Sequence, residues 1–143
     1  MIKNEKQYRI TKAQVRRFQD AIAELAGQTR PSNIKPRLWE AQREAARSQM
    51  QELREQIEAY ERLTRCKEVV LEAVEDLPKA LIRARIAAGM TQEGLARRLG
   101  VKTQQVQRYE ATEYESASFA RILKVVQALG LSMTRAVRLV RNS

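Results

Sequence analysis

The chain has 143 residues, enough for one domain of ordinary size or a small domain with an appendage, and carries 27 Lys and Arg against 17 Asp and Glu, a formal net charge of +10. With 43% apolar residues, five Gly and three Pro it is too apolar for a disordered tail and reads as a mostly helical globular chain. His is absent and Cys66 is the single cysteine, so the commonest general base, the commonest zinc ligand and an intrachain disulfide are all missing; an enzyme, a metal site and a cofactor are not expected. The basic excess points to a polyanionic partner, nucleic acid ahead of an anionic membrane surface. No apolar run of about 18 residues occurs and no apolar segment follows the charged start MIKNEKQYRI, which implies a soluble, cytoplasmic protein that does not enter a membrane.

The charge is uneven along the chain. Residues 1–75 hold 15 basic and 12 acidic side chains, whereas residues 76–143 hold 12 basic and 5 acidic. The first stretch is rich in Glu, Arg and Gln at helical spacing, and the second holds four of the five glycines. A boundary is expected near Asp76-Leu77-Pro78, dividing an N-terminal helical arm (1–75) from a compact domain (76–131) and a basic tail (132–143).

In chain order, Thr11 with Gln14 three residues on predicts a capping box, with Ile10 and Val15 as a hydrophobic staple. Val15, Phe18, Ile22 and Leu25 then give an amphipathic helix over about 12–26, stopped at Gly27. Residues 28–35 read as a linker, and Pro36 suits the first position of the next helix. From Pro36 to about Arg65 nothing interrupts; Trp39, Ala46, Met50, Leu53, Ile57 and Tyr60 trace a near-heptad seam, with Glu58–Arg62 and Glu61–Arg65 pairs on the surface. Such a rod either folds back on the first helix as a hairpin or serves as a dimerisation or partner-binding stalk. A short helix is expected over 66–75.

Four short helices follow. Pro78 to Ala88 presents Leu81, Ile82 and Ile86; Thr91 caps Gln92 to Leu99, which ends at Gly100; a third runs from Thr103 to Glu110. The fourth, about Ser118 to Leu129, is expected to bury Phe119, Ile122, Val125, Val126 and Leu129. Helices this short must share one core. In the tail, Met133, Val137, Leu139 and Val140 among three arginines fit either a fifth helix or a short strand, with β-branched content favouring the strand. The fold class is therefore all-α, save that short C-terminal strand: an N-terminal helical hairpin with one long helix, and a compact domain of four to five helices.

The two middle helices, joined across Gly100-Val101-Lys102, have the arrangement of a helix-turn-helix. The segment from Met90 to Glu110, with Gln92, Leu95, Ala96, Leu99, Gly100, Val106 and Glu110 in register, resembles the XRE (phage-repressor type) helix-turn-helix family. On helical spacing alone, Thr103, Gln104, Gln107 and Arg108 share one polar face while Val106 and Tyr109 point the other way. Gln suits the edge of adenine and Arg that of guanine, so these four are candidate base contacts in a major groove. The resemblance implies that Gln92, and with it Thr91 and Lys102, touches DNA phosphate, and that Gln92 braces a recognition-helix side chain such as Thr103. It further implies a structural ion pair between Arg85 and Glu110. Gly94 departs from the family by standing where Glu is common, which forgoes a reciprocal cap and predicts fraying of the second helix.

The function these readings imply is sequence-specific binding of double-stranded DNA by a homodimeric transcriptional regulator, a repressor on a palindromic operator. Two alternatives share the sequence. One is an antitoxin that grips a toxin through residues 1–75 and represses its own operon; the other is a helical adaptor whose helix-turn-helix is kept only as a fold.

Overall fold

The computed structural model describes residues 1–132; the tail expected as strand or fifth helix lies almost wholly outside them. Among the described residues there are six α-helices and no strand. The chain divides into two compact units, Met1–Glu68 and Val69–Ser143, so residues 69–75, read from sequence with the arm, group with the second unit.

The first unit is a hairpin of α1 (Glu5–Gly27) and α2 (Pro36–Arg65), which pack on each other. The first helix begins well before Thr11. Asn4 is its cap, the side chain accepting from the Gln7 N–H at 2.9 Å, while the Gln7 amide oxygen accepts from the Lys3 N–H at 2.8 Å. The Asn4-x-x-Gln7 spacing satisfies two N–H groups, as expected of Thr11-x-x-Gln14, but the second belongs to Lys3 and not to the cap residue itself; Ile2, 3% exposed, anchors the start. Thr11 instead lies within the helix and donates its hydroxyl to the Gln7 carbonyl at 2.9 Å. The staple is absent as well, since Val15 is buried and Ile10 is 49% exposed.

Helix α2 spans the predicted 36–65, with Pro36 in its first turn. Thirty residues at about 1.5 Å each make a rod of about 45 Å. The pairing is antiparallel: Tyr8, early in α1, stacks on Tyr60, late in α2, with ring centroids 5.1 Å apart, and its phenol donates to Glu61 at 2.5 Å. That bond raises the Tyr8 pKa above its ordinary value, chiefly because the carboxylate acceptor favours the protonated phenol. It also takes Glu61 away from the pair expected with Arg65; Glu58–Arg62 does form, at 4.0 Å. Trp39, Tyr60 and Val15 are buried, whereas Phe18, Ile22, Leu25, Met50, Leu53 and Ile57 are only half-buried, as two helices alone must leave them.

The helix expected over 66–75 does not form; only a 3-10 turn at Val74–Asp76 is present. Val70 and Val74 are 73% and 69% exposed, and a ten-residue helix with no apolar face packed against anything is unstable in water.

The second unit holds α3 (Leu77–Ala87), α4 (Gln92–Leu99), α5 (Thr103–Ala111) and α6 (Phe119–Ala128). Leu81, Ile82, Leu95, Val106 and Val125 form its centre, each at most 1% exposed. Arg98 ties α4 to the end of α6 by donating to the Ala128 carbonyl at 2.8 Å. Phe119 departs from expectation at 71% exposed. The buried stripe of α6 is centred on Val125 and Leu129; at 100° per residue Phe119 falls on its flank and Leu123 towards the far side, beyond the reach of the other helices.

Candidate nucleic-acid interface

Helix α4 ends because Gly100 adopts φ +66, ψ 33, the left-handed conformation that a Cβ disfavours. In that geometry the Val101 N–H reaches the Ala96 carbonyl at 3.0 Å and closes the last turn. The chain then re-enters helix at Thr103. At the other end of α4, Thr91 is the cap, accepting from the Gly94 N–H at 2.9 Å. The helix is complete from Gln92 to Leu99 despite Gly94. A Cβ at Gly94 would stand 3.3 Å from Thr91 Oγ1 and 3.4 Å from Met90 Cγ, pressing on the cap that holds the helix.

Helix α5 presents two contrasting faces. Val106, Tyr109 and Glu110 are buried; Gln104, Gln107 and Arg108 are exposed and Thr103 half-buried. Lys102, Thr103, Gln104 and Gln107 line an open groove of about 490 Å³ shared with Glu93 and Arg97 of α4. Arg108 is outside that lining, and Thr91 stands at the N-terminus of α4.

The buried end of α5 carries a charged network. Arg85 Nε donates to Glu110 Oε1 at 2.6 Å and its Nη2 to Oε2 at 2.9 Å, a two-pronged pair whose side chains are 3% and 0% exposed. Arg85 Nη1 also donates to the Met90 carbonyl at 2.8 Å. Gln92, 8% exposed, donates its amide to Glu110 Oε2 at 2.7 Å. Gln92 thus braces Glu110 of α5: the buried carboxylate has no water to accept from and takes the amide hydrogen. Three helices meet at this one carboxylate, which fixes α5 against α3 and α4.

Sequence reasoning passed over Tyr114. It sits in the polar loop after α5 with a left-handed φ of +62, is 3% exposed, and lies over Tyr109 with centroids 6.0 Å apart. Burial, then the nearby Glu110 charge, pushes its phenol well above the ordinary tyrosine range, against the lowering effect of Arg85. One aromatic among Thr, Glu and Ser was the available signal, since an otherwise polar loop needs an anchor.

No helix among the described residues is long and apolar enough to cross a membrane. No curated protein and no solved structure matches the chain. Residues 81–135 match the family model described as Helix-turn-helix, a span that begins within α3, takes in α4 to α6 and runs on beyond the described residues. Those residues are an XRE-type helix-turn-helix domain, and the chain carrying it is a DNA-binding transcription regulator.

Proposed function

We propose that the protein binds a specific duplex sequence by placing α5 in the major groove, and acts as a repressor. The observation that carries this is the outward face of α5: Gln104, Gln107 and Arg108 are exposed amide and guanidinium groups on a helix locked from behind by the Glu110 network. Rigid placement of that kind is what bidentate base contacts require, each worth about 1–3 kcal/mol of discrimination. Thr103 completes the base-reading face. Thr91, Gln92 and Lys102 lie at the starts of α4 and α5, where N-terminal amides and the helix dipole favour phosphate.

The protein acts as a homodimer on a palindrome with half-sites about one turn, roughly 34 Å, apart. The half-buried seam of the hairpin, Phe18, Ile22, Met50 and Ile57 among it, supports a protein-binding role for the first unit. A second copy is the leading occupant and a toxin the second. Selection of bound sequences from random duplex DNA tests the reading. A single motif with two-fold symmetry is expected, blurred at one position per half-site by Arg108→Ala and weakened uniformly by Lys102→Ala. Recovery of no preferred sequence at moderate salt refutes it.

A further inference from the structure

The outer face of α1 carries a charge arrangement that the helix-turn-helix does not account for. Between Lys6 and Arg17 there are five basic residues, Lys6, Arg9, Lys12, Arg16 and Arg17, and no acid. All five are exposed, and at 100° per residue Lys6, Arg9, Arg16 and Arg17 lie on the side of α1 away from buried Thr11 and Val15, with Lys12 on the flank. Lys12 alone is occupied, its ammonium 5.2 Å above the Tyr8 ring and 3.5 Å from the phenol oxygen that binds Glu61. Among the described residues, Lys6, Arg9, Arg16 and Arg17 form no ion pair, although Glu5 stands at helical spacing from Arg9, and Asp20 from Arg16 and Arg17.

Helix α2 is built the other way. It has six Arg and six Glu, and Arg43, Arg47 and Arg62 each pair with a Glu three or four residues earlier. Like charges three and four residues apart destabilise a helix, and a cation in the first turn opposes the helix dipole. The strip on α1 therefore works against its own helix.

We propose that this strip is a second DNA-contacting surface, binding the phosphate backbone without reading sequence. The inference rests on the DNA-binding reading above. From Lys6 to Arg17, eleven steps of about 1.5 Å span about 16 Å, against a phosphate every 3.4 Å or so of axis on each strand. Apart from Ile10 the face offers no large apolar side chain, unlike the core of a protein interface. A membrane surface would need the apolar face of α1 for insertion, and that face is packed on α2.

The test uses the full chain and a fluorescent 40-base-pair duplex (a length chosen for the assay, roughly four turns), with affinity measured across a salt series. The variant Lys6→Gln, Arg9→Gln, Arg16→Gln, Arg17→Gln removes the unpaired strip. A control, Arg43→Gln, Arg47→Gln, Arg62→Gln, removes the same kind of charge from α2. The strip variant is expected to flatten the slope of log K against log salt by about 2–4, at about 0.9 for each phosphate no longer neutralised, while the control leaves it unchanged. Equal slopes for strip variant and wild type overturn the inference and leave the sequence-reading proposal standing. So does equal flattening by the control, or binding to vesicles rich in phosphatidylserine with an unchanged DNA slope. A wild-type chain that binds no duplex at all refutes both proposals. Far-UV circular dichroism and Trp39 emission check folding, and Arg9→Gln, Arg16→Gln alone, expected to give about half the flattening, carries the test if the fourfold variant does not fold.

Discussion

Replacing Arg85 by Ala removes both prongs of the bond to Glu110 and the bond to the Met90 carbonyl. Glu110 is 0% exposed, so its carboxylate cannot turn to water, and the Gln92 amide at 2.7 Å is a neutral donor. Breaking a buried pair from one side costs about 3–5 kcal/mol, most of it the penalty of the charge left behind. For a unit the size of Val69–Ser143, 1 kcal/mol moves the midpoint by about 4–8 °C, so a fall of at least about 12 °C is expected. Arg97→Ala is the matched control: its pair with Glu93, at 3.4 Å, has side chains 76% and 68% exposed. Solvent screening and side-chain entropy reduce such a pair to about 0.3–0.5 kcal/mol, a shift of a few degrees at most. Thermal unfolding followed by circular dichroism gives both numbers, with Trp39 fluorescence reporting the hairpin separately. The double variant Arg85→Met, Glu110→Leu, which strands no charge, is expected to recover much of the loss. Equal midpoints for Arg85→Ala and Arg97→Ala would refute the reasoning.

Three further outcomes are expected. Asn4→Ala should destabilise the hairpin by about 1 kcal/mol through loss of the cap, and amide exchange should quicken at Gln7, whose N–H the Asn4 side chain accepts; unchanged protection there would place the cap elsewhere. Gly100→Ala should cost about 1–3 kcal/mol from backbone strain alone, since an added Cβ meets nothing within 4 Å; a neutral result in denaturant unfolding would contradict the left-handed turn. Tyr114 has its folded pKa raised above the ordinary 10.0, so its contribution is intact below that pH and is lost as pH rises through and beyond it, because the unfolded chain releases the proton first. Midpoints recorded from pH 9 to 11, a range bracketing the ordinary tyrosine pKa of about 10, should fall less steeply in Tyr114→Phe than in wild type, and identical slopes would dismiss the burial effect.

Several features of this chain are dictated locally and were legible in its residues. Pro36 opens α2 and no residue breaks it before Arg65; Thr91 and Gly100 bracket α4; the alternation of Val106 and Tyr109 with Gln104, Gln107 and Arg108 sorts α5 into an inner and an outer face. Caps, left-handed glycines and a 3.6-residue period act over one or two turns, so the sequence within those turns carries them. Where two local signals competed, it did not: Asn4-x-x-Gln7 and Thr11-x-x-Gln14 have the same form, and the burial of Ile2 decides between them. The same holds for the segment 66–73, which has helical residues and no surface to pack on, and for Phe119, placed on the flank of α6 by the arrangement of its neighbours. Gln92 is the clearest case. Its place at the head of α4 follows from the chain alone, but its bond to Glu110 arises only when α3, α4 and α5 come together around that carboxylate, because a buried carboxylate takes a donor that folding brings to it.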